Sequence, residues 1–447
     1  MTPKNKSILG WCFYDFANSS FTTIVVTFIY SAFFADYIVG NSSLGQIYWG
    51  NAVTICAIII AILSPIMGAI ADQGGLRKTF LFFWTIVCII FSVLLYFPQK
   101  GDIYFALVVF IIANIAFEMG CVFCNAYVPS LTTKENMGKI SGYGYAFGYL
   151  GGLLALVVGL VTIALPEQPM FGITTQNGQN FRSMNLLVGI WFFIFSIPTF
   201  LWLKKDVKEK NINKNLIKNS FKQLSNTYKD IKKYKNIVRF LIARLFYNDA
   251  LITIFSFGGI IAKGVYNFNL EKMLIFGIVL GVSAGIGAYF MGFIDDKIGA
   301  KKTIQISNFA LVIATLMVVF ADQFLIFQFS IPLTNILIHL NSESYFWIAG
   351  ILVGFSSGPN QSSSRSLMSR FSPINKQNEF FGFFAFSGKI TAFLGPFLLA
   401  QVTYISLVYF DISSEMAQRL GVSVVLVLLM IGAIVLHFVD EKNNDIT

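Results

Sequence analysis

The chain has 447 residues, of which 56% are apolar and 12% charged, against roughly 25% charged in an average soluble domain. Its 48 Phe and 18 Tyr are more aromatic surface than a water-facing fold of this size can hide, which excludes an ordinary soluble protein. The net charge of +10 does not point to nucleic acid, because the basic residues sit in the gaps between apolar runs instead of forming one basic motif.

Crossing a hydrocarbon core of about 30 Å takes roughly 20 apolar residues. Such stretches predict spans near 14–38, 47–71, 79–97, 103–129, 140–165 and 184–203, then near 237–262, 272–294, 303–321, 346–369, 380–406 and 418–439. The expectation is an all-α membrane protein of twelve transmembrane helices, because helices satisfy their own backbone polar groups in lipid. Phe16 to Val39 is read as a span and not as a secretory leader, being longer than a leader's apolar core, following Asp15 and containing Asp36. The stretch Phe324 to Leu340 is apolar but contains Pro332, and is read as a loop element at the membrane surface.

With the N-terminus in the cytoplasm, the outer loops carry only Lys100, Arg182, Lys272 and Arg419. The remaining loop lysines and arginines then lie inside, which places both termini in the cytoplasm. Lys204 to Lys235 holds 11 Lys and reads as a solvated linker along the anionic inner leaflet. The domains expected are a six-helix bundle over 1–203, this linker over 204–235 and a second six-helix bundle over 236–447.

The halves echo each other. Gly68, Asp72, Gly75, Arg77 and Lys78 form G-x-x-x-D-x-x-G-x-R-K between spans two and three, and Gly292, Asp296, Gly299, Lys301 and Lys302 repeat the spacing between spans eight and nine. Phe13-Tyr14-Asp15 is answered by Phe246-Tyr247-Asn248-Asp249, and Gly142 with Gly148 by Gly382 with Gly388. Each pair is separated by about half the chain, the mark of an internal repeat with a substrate site near the membrane midplane.

The doubled loop motif, six-plus-six spans and basic linker resemble the major facilitator superfamily. Tyr14-Asp15-Phe16-Ala17-Asn18-Ser19, Ala243 to Asp249, Ser364-Arg365-Ser366-Leu367 and Glu379-Phe380-Phe381-Gly382-Phe383 further resemble the signatures of the vacuole-effluxer-like family, which includes fungal vacuolar amino-acid effluxers and bacterial relatives. The resemblance implies a major facilitator fold and amino-acid export. It also implies that the two loop motifs latch the cytoplasmic side in one state and release it in the other.

An ionisable residue inside a span is costly and therefore a functional candidate. Asp15 and Asp249 hold matching places near the cytoplasmic entrance of spans one and seven and are expected to line a pathway, unless each merely pairs with a neighbour such as Arg244. Glu118 lies deeper in span four, where a carboxyl is cheapest in its protonated form. It is the proton-coupling candidate, although permanent pairing with Arg365 or Lys389 would make it structural. Span ten runs Ser356 to Arg365 without one large apolar side chain, so it must face protein or water, and Gly358-Pro359 permits a local break there. Asn360, Gln361 and Arg365 are expected to line the cavity, with Arg365 suited to a substrate carboxylate. Tyr14, Asn18 and Asn125 are candidates for the opposite wall, and Lys389 adds a further cation.

The five Cys lie in or beside apolar runs, and Cys121-x-x-Cys124 lacks a second ligand pair, so neither a metal site nor a disulfide framework is expected. No cofactor is expected. There is no G-x-x-x-x-G-K-[ST] phosphate loop and no nucleophile–base pair, which argues against ATP drive and against an enzyme. The reading is a secondary active transporter of amino acids or small peptides working by alternating access. Its partners are a small-molecule substrate, the lipid bilayer and protons, with no nucleic acid, and it is expected to be a monomer in a bacterial inner membrane. Another small organic anion or zwitterion is the alternative cargo, and a membrane sensor without net flux is the rival from another class.

Overall fold

The computed structural model describes residues 2–204, 215–320, 328–330, 337–339 and 341–441. The described residues are helical apart from one short antiparallel pair, β1 (Gln328–Ser330) and β2 (Leu337–His339), in which Gln328 faces His339. The expected loop element over 324–340 is described only at this pair.

Six long helices come first. They are α1 (Pro3–Ile38), α2 (Ser42–Gly74), α3 (Arg77–Leu94), α4 (Ile103–Asn125), α5 (Met137–Gly159) and α6 (Gln179–Trp202). A shorter helix, α7 (Leu216–Lys229), follows in the linker. Then come α8 (Lys235–Gly264), α9 (Leu270–Ile298), α10 (Ala300–Val319), α11 (Ser342–Phe371), α12 (Gln377–Lys389), α13 (Leu394–Tyr409) and α14 (Ser414–His437). Eleven segments are long and apolar enough to cross a membrane, with α12 and α13 together making one of them. α11 is the twelfth; its 30 residues reach across, and only its polar run keeps it below the hydropathy of the others.

Local chemistry sets the ends. Thr2 accepts from the Asn5 amide at the start of α1, with Pro3 in the first turn, and Asn41 and Asn269 cap α2 and α9 in the same way. α2 stops at Gly75, whose φ of 57° a side chain would disfavour. On the outside, Ile62, Phe105, Phe309 and Phe397 are exposed, as a lipid-facing surface requires.

Contacts divide the helices into two units. The first runs to Tyr234 and also takes Arg365–Lys389; the second comprises Lys235–Ser364 and Ile390–Asp445. The first has a core of Trp11, Tyr14, Phe21, Phe110, Phe123 and Phe192. There α1 lies directly on α5, because Gly144, Gly148, Gly151 and Gly152 leave room that any side chain would fill; a Cβ at Gly151 would collide with the Phe16 carbonyl. In the second unit α8 packs on α13 and α14, and Tyr266, Phe268, Phe346 and Val422 belong to one cluster.

Three expectations change. α1 begins at Pro3, so Asp15 lies about three turns into the helix and not at its entrance; Asp249 is likewise midway along α8. Gly358-Pro359 does not break α11, which is continuous through Pro359; Gly358 instead lets α11 touch the backbone of α9 at Ala284. The break occurs in span eleven, over residues 390–393. Within the linker, residues 205–214 lie outside the described residues, but Leu216–Lys229 is a docked helix and not a solvated strand of chain. Gln223 accepts from Gln73 at 2.5 Å, and Lys376 donates to Thr227 at 3.0 Å.

Candidate functional site

The first unit holds two ion pairs at membrane depth. Arg365, 2% exposed, donates from Nη1 to Asp15 Oδ2 at 2.8 Å and to Asn125 Oδ1 at 3.0 Å. Its Nε reaches Ser141 Oγ at 2.9 Å and its Nη2 the Ser141 carbonyl at 2.7 Å. The guanidinium also lies against the rings of Trp11 (4.5 Å) and Tyr145 (4.3 Å), and Trp11 is fixed by its Nε1 bond to the Cys124 carbonyl at 2.8 Å. A Cβ at Gly144 would intrude on this group. The result is a guanidinium with four of its five donors used and stacked aromatics beside it. It ties the end of α11 to α1, α4 and α5.

The second pair differs. Lys389 Nζ meets Glu118 Oε1 at 2.6 Å, with side chains 27% and 20% exposed. Lys389 is the last residue of α12, where the helix dipole favours a cation. One turn from Glu118 on α4, Cys121 accepts from Asn18 at 3.6 Å. Ionised groups with open surface at this depth must face water or ligand, because lipid would not tolerate them.

The second unit holds Asp249, Asn360 and Gln361. Asp249 is buried on α8, and its Oδ2 accepts from the Gly395 amide in the first turn of α13 at 2.9 Å. It makes no ion pair with Arg244, which is half-buried. Asn360 donates to Asn308 Oδ1 at 2.7 Å, Tyr247 and Ser364 share a hydrogen bond of 2.8 Å, and Gln361 is half-buried. The expected wall residues separate similarly. Tyr14 is bonded to Thr85 at 3.1 Å and is packed away, whereas Asn125 joins the Arg365 group.

The loop motifs are built from contacts that the spacing alone does not give. Asp72 does not pair with Arg77. Its carboxylate accepts from the Asn378 amide (3.1 Å), the Asn378 side chain (2.7 Å) and the Glu379 amide (2.8 Å), capping the first turn of α12. Gly68 makes this approach possible, since a Cβ there would strike the Asn378 carbonyl. Arg77 donates to the Ala126 carbonyl (2.7 Å) and Gln377 (3.2 Å) and stacks on Tyr127. Lys78 reaches the carbonyls of Phe200 (2.8 Å) and Leu203. In the second motif, Gly299 has a φ of 96°, and the amides of Ala300 (2.9 Å) and Lys301 (3.1 Å) donate to Glu441. Lys301 Nζ goes to the His437 carbonyl at 2.7 Å and not to Asp296; Lys302 is exposed, and Gly292 lies on α9.

Sequence reasoning missed Trp11, Ser141, Tyr145, Asn308 and Gln377. The glycine-rich run of α5 signals a close approach around Ser141, but no spacing reveals which donors or rings converge there.

The family described as "Vacuole effluxer Atg22 like" matches residues 51–445. "Uncharacterized MFS-type transporter YxiO" of Bacillus subtilis (strain 168) is 25% identical over 443 residues, 97% of this chain and 95% of that one. Autophagy-related protein 22 of Yarrowia lipolytica is 23% identical over 421 residues, 77% of this chain and 68% of the other. Among solved structures, the human organic anion transporter MFSD10 has a TM-score of 0.70 at 12% identity, covering 98% of this chain and 100% of that one. The proton:xylose symporter XylE has a TM-score of 0.66 at 13% identity, covering 99% and 96%. The latter is a major facilitator superfamily protein, the fold that the twelve spans and paired loop motifs imply. With the family match extending over most of its length, this chain is an integral membrane protein of the vacuole effluxer Atg22-like family, among transporters of the major facilitator type.

Proposed function

We propose that the chain is a secondary active transporter of a small zwitterion, an amino acid or small peptide, and that it works by alternating access and is coupled to protons. The observation that carries this reading is the Lys389–Glu118 pair, 2.6 Å apart and part-exposed on both sides. A zwitterion presents an anion and a cation in one molecule, so its carboxylate can replace Glu118 on Lys389 while its ammonium takes Glu118. Neither protein charge is then left bare in the membrane. Asn18 and Cys121 supply neutral polar atoms nearby, and the end of a discontinuous helix is a recurrent place for a transported ligand.

Arg365 has a different role in this reading. Its donors are spent on Asp15, Asn125 and Ser141, so it acts as a clamp on α11 and not as the substrate anchor. The Asp72 cap on α12 belongs to the same gating machinery, holding the cytoplasmic ends of α2 and α12 together until the transporter changes state. Residues 1–203 and 236–447 act as the two six-helix bundles, joined by 204–235. The protein works as a monomer with both termini on the cytoplasmic side of a bacterial inner membrane, where the lysine bias orients it.

Counterflow in proteoliposomes with labelled L-leucine, L-lysine, a dipeptide and a dicarboxylate tests the reading. Saturable exchange of at least one zwitterion is expected, with Lys389→Ala reducing its kcat/KM at least tenfold. Exchange of the dicarboxylate alone, or zwitterion exchange indifferent to Lys389→Ala, overturns it.

A further inference from the structure

Asp249 and Asp295 are the most buried carboxylates of the second unit; Asp295 lies in the last turns of α9, whereas Asp249 lies at mid-helix. Asp249 is 1% exposed midway along α8, and its Oδ1 has no hydrogen-bond partner. Oδ2 receives one bond, from the Gly395 amide at 2.9 Å. Among the described residues no cationic side chain pairs with it, whereas the membrane-depth carboxylates of the first unit, Asp15 and Glu118, each hold one. A lone buried carboxylate at bilayer depth is costly, and the group lowers that cost by taking a cation or a proton.

The neighbours favour the proton. Among the described residues no group of His, Cys, Asp or Glu stands ready to share a metal ion with Asp249. On α8 itself the Tyr247 phenol is engaged with Ser364 at 2.8 Å, Thr253 bonds the Asp249 carbonyl at 2.8 Å, and Arg244 lies more than a turn away. α13 offers the Gly395 amide and has its tyrosines, Tyr404 and Tyr409, near its C-terminal end. α14 meets this region with Leu428 and Gly432 and carries Glu415, Arg419 and His437 only toward its ends. α9 carries Glu271 and Lys272 in its first turn and Tyr289, Asp295, Asp296 and Lys297 in its last turns.

We infer that Asp249 is the site that binds and releases the coupling proton, and that it reads its charge out through the first turn of α13. The inference rests on the proton-coupled reading above and moves the coupling role from Glu118 to Asp249. Ionised, Asp249 is held by the Gly395 amide and the positive end of the α13 dipole. On protonation the charge–dipole attraction is lost, and α13 is freed to move about the break at 390–393.

The test is infrared difference spectroscopy on the full-length protein in proteoliposomes, wild type against Asp249→Asn, as the bulk pH is stepped. A protonated-carboxyl stretch that is present in the wild type, disappears on alkalinisation and is missing from Asp249→Asn is expected. Asp249→Glu is expected to restore a band at shifted frequency, which separates loss of the proton site from loss of the fold. A wild-type carboxyl band that survives unchanged in Asp249→Asn overturns the inference, as does an Asp249→Glu protein that folds but shows no replacement band. A sodium-dependent loss of the band at constant pH overturns it in favour of a metal cation. The spectra require no transport. Failure of every labelled solute to exchange would therefore sink the transport reading with the band intact, and a missing band would sink this inference with exchange intact.

Discussion

The two units handle buried polarity in opposite ways. In the first, the membrane-depth charges are matched, Arg365 with Asp15 and Lys389 with Glu118, and at the ends of the helices Asp72 takes the amides of α12 while the buried Glu379 takes Gln223. In the second, neutral hydrogen bonds, Asn308 with Asn360 and Tyr247 with Ser364, accompany Asp249, a mid-helix carboxylate with no cationic partner among the described residues. Matched buried charges are unforgiving, since removing one partner strands the other, whereas neutral pairs can be loosened at modest cost. The first unit should therefore be the brittle one and the second the adaptable one.

The largest expected effect follows from the most buried pair. Arg365→Ala removes four hydrogen bonds and leaves Asp15 uncompensated, which should cost about 3–5 kcal/mol. Thermal unfolding in detergent measures it, and Asp15→Asn combined with Arg365→Gln should recover part of the loss. A single variant as stable as the wild type would mean that the group is well hydrated, and the contrast between units would fall. Asp72→Ala comes next. It deletes a charged cap bonded to two amides and one side chain, at about 1.5–3 kcal/mol for bonds to a charged group. Beyond stability, it should raise cysteine accessibility at a probe placed on the first turn of α12.

Sequence and structure meet unevenly across these same parts. The twelve spans were legible because twenty apolar residues in lipid have few alternatives to a helix, and the doubled G-x-x-x-D motif was legible because it occurs twice. The partner of Asp72 was not. Arg77 is near in sequence, but the carboxylate reaches amides some three hundred residues away, and no spacing carries that. The polar run of α11 marked Arg365 as facing protein or water and as a cavity residue, and its fit to a substrate carboxylate was inferred from residue type; the converging Asp15, Asn125 and Ser141 take up its donors in a way no residue type could reveal. The break misassigned to Gly358-Pro359 teaches a similar lesson. A proline in a membrane helix is tolerated when neighbours fill the gap, whereas the real interruption at 390–393 lies just before Gly395-Pro396, whose proline cannot donate back to the Ala392 carbonyl.

A smaller effect should come from the neutral pair. Asn308→Ala removes the acceptor of the 2.7 Å bond from Asn360 and should cost about 1 kcal/mol, the usual net worth of a neutral hydrogen bond plus part of the burial penalty of the orphaned amide. Unfolding of the variant in the same detergent checks it. A loss as large as that of Arg365→Ala would show the second unit to be as tightly specified as the first.

The smallest effect should be the most informative. Asp249→Asn keeps the size and shape of the side chain and replaces a carboxyl by an amide. If Asp249 is neutral in the folded protein, as a lone buried acid should be, the substitution exchanges one neutral group for another. The amide oxygen can still accept from Gly395, and the remaining group is unpartnered in both forms. Stability should then change by less than about 1 kcal/mol near neutral pH, the range of a surface-like substitution despite full burial. As pH rises, the wild type must either keep its proton against the solution or bury a bare charge, and it should lose stability relative to Asp249→Asn. The sign distinguishes the cases. A variant that is less stable at high pH than at low, relative to wild type, would mean that an ionised Asp249 contributes favourably to the fold, as Asp15 is argued to do beside Arg365, and the two units would then differ in geometry but not in kind.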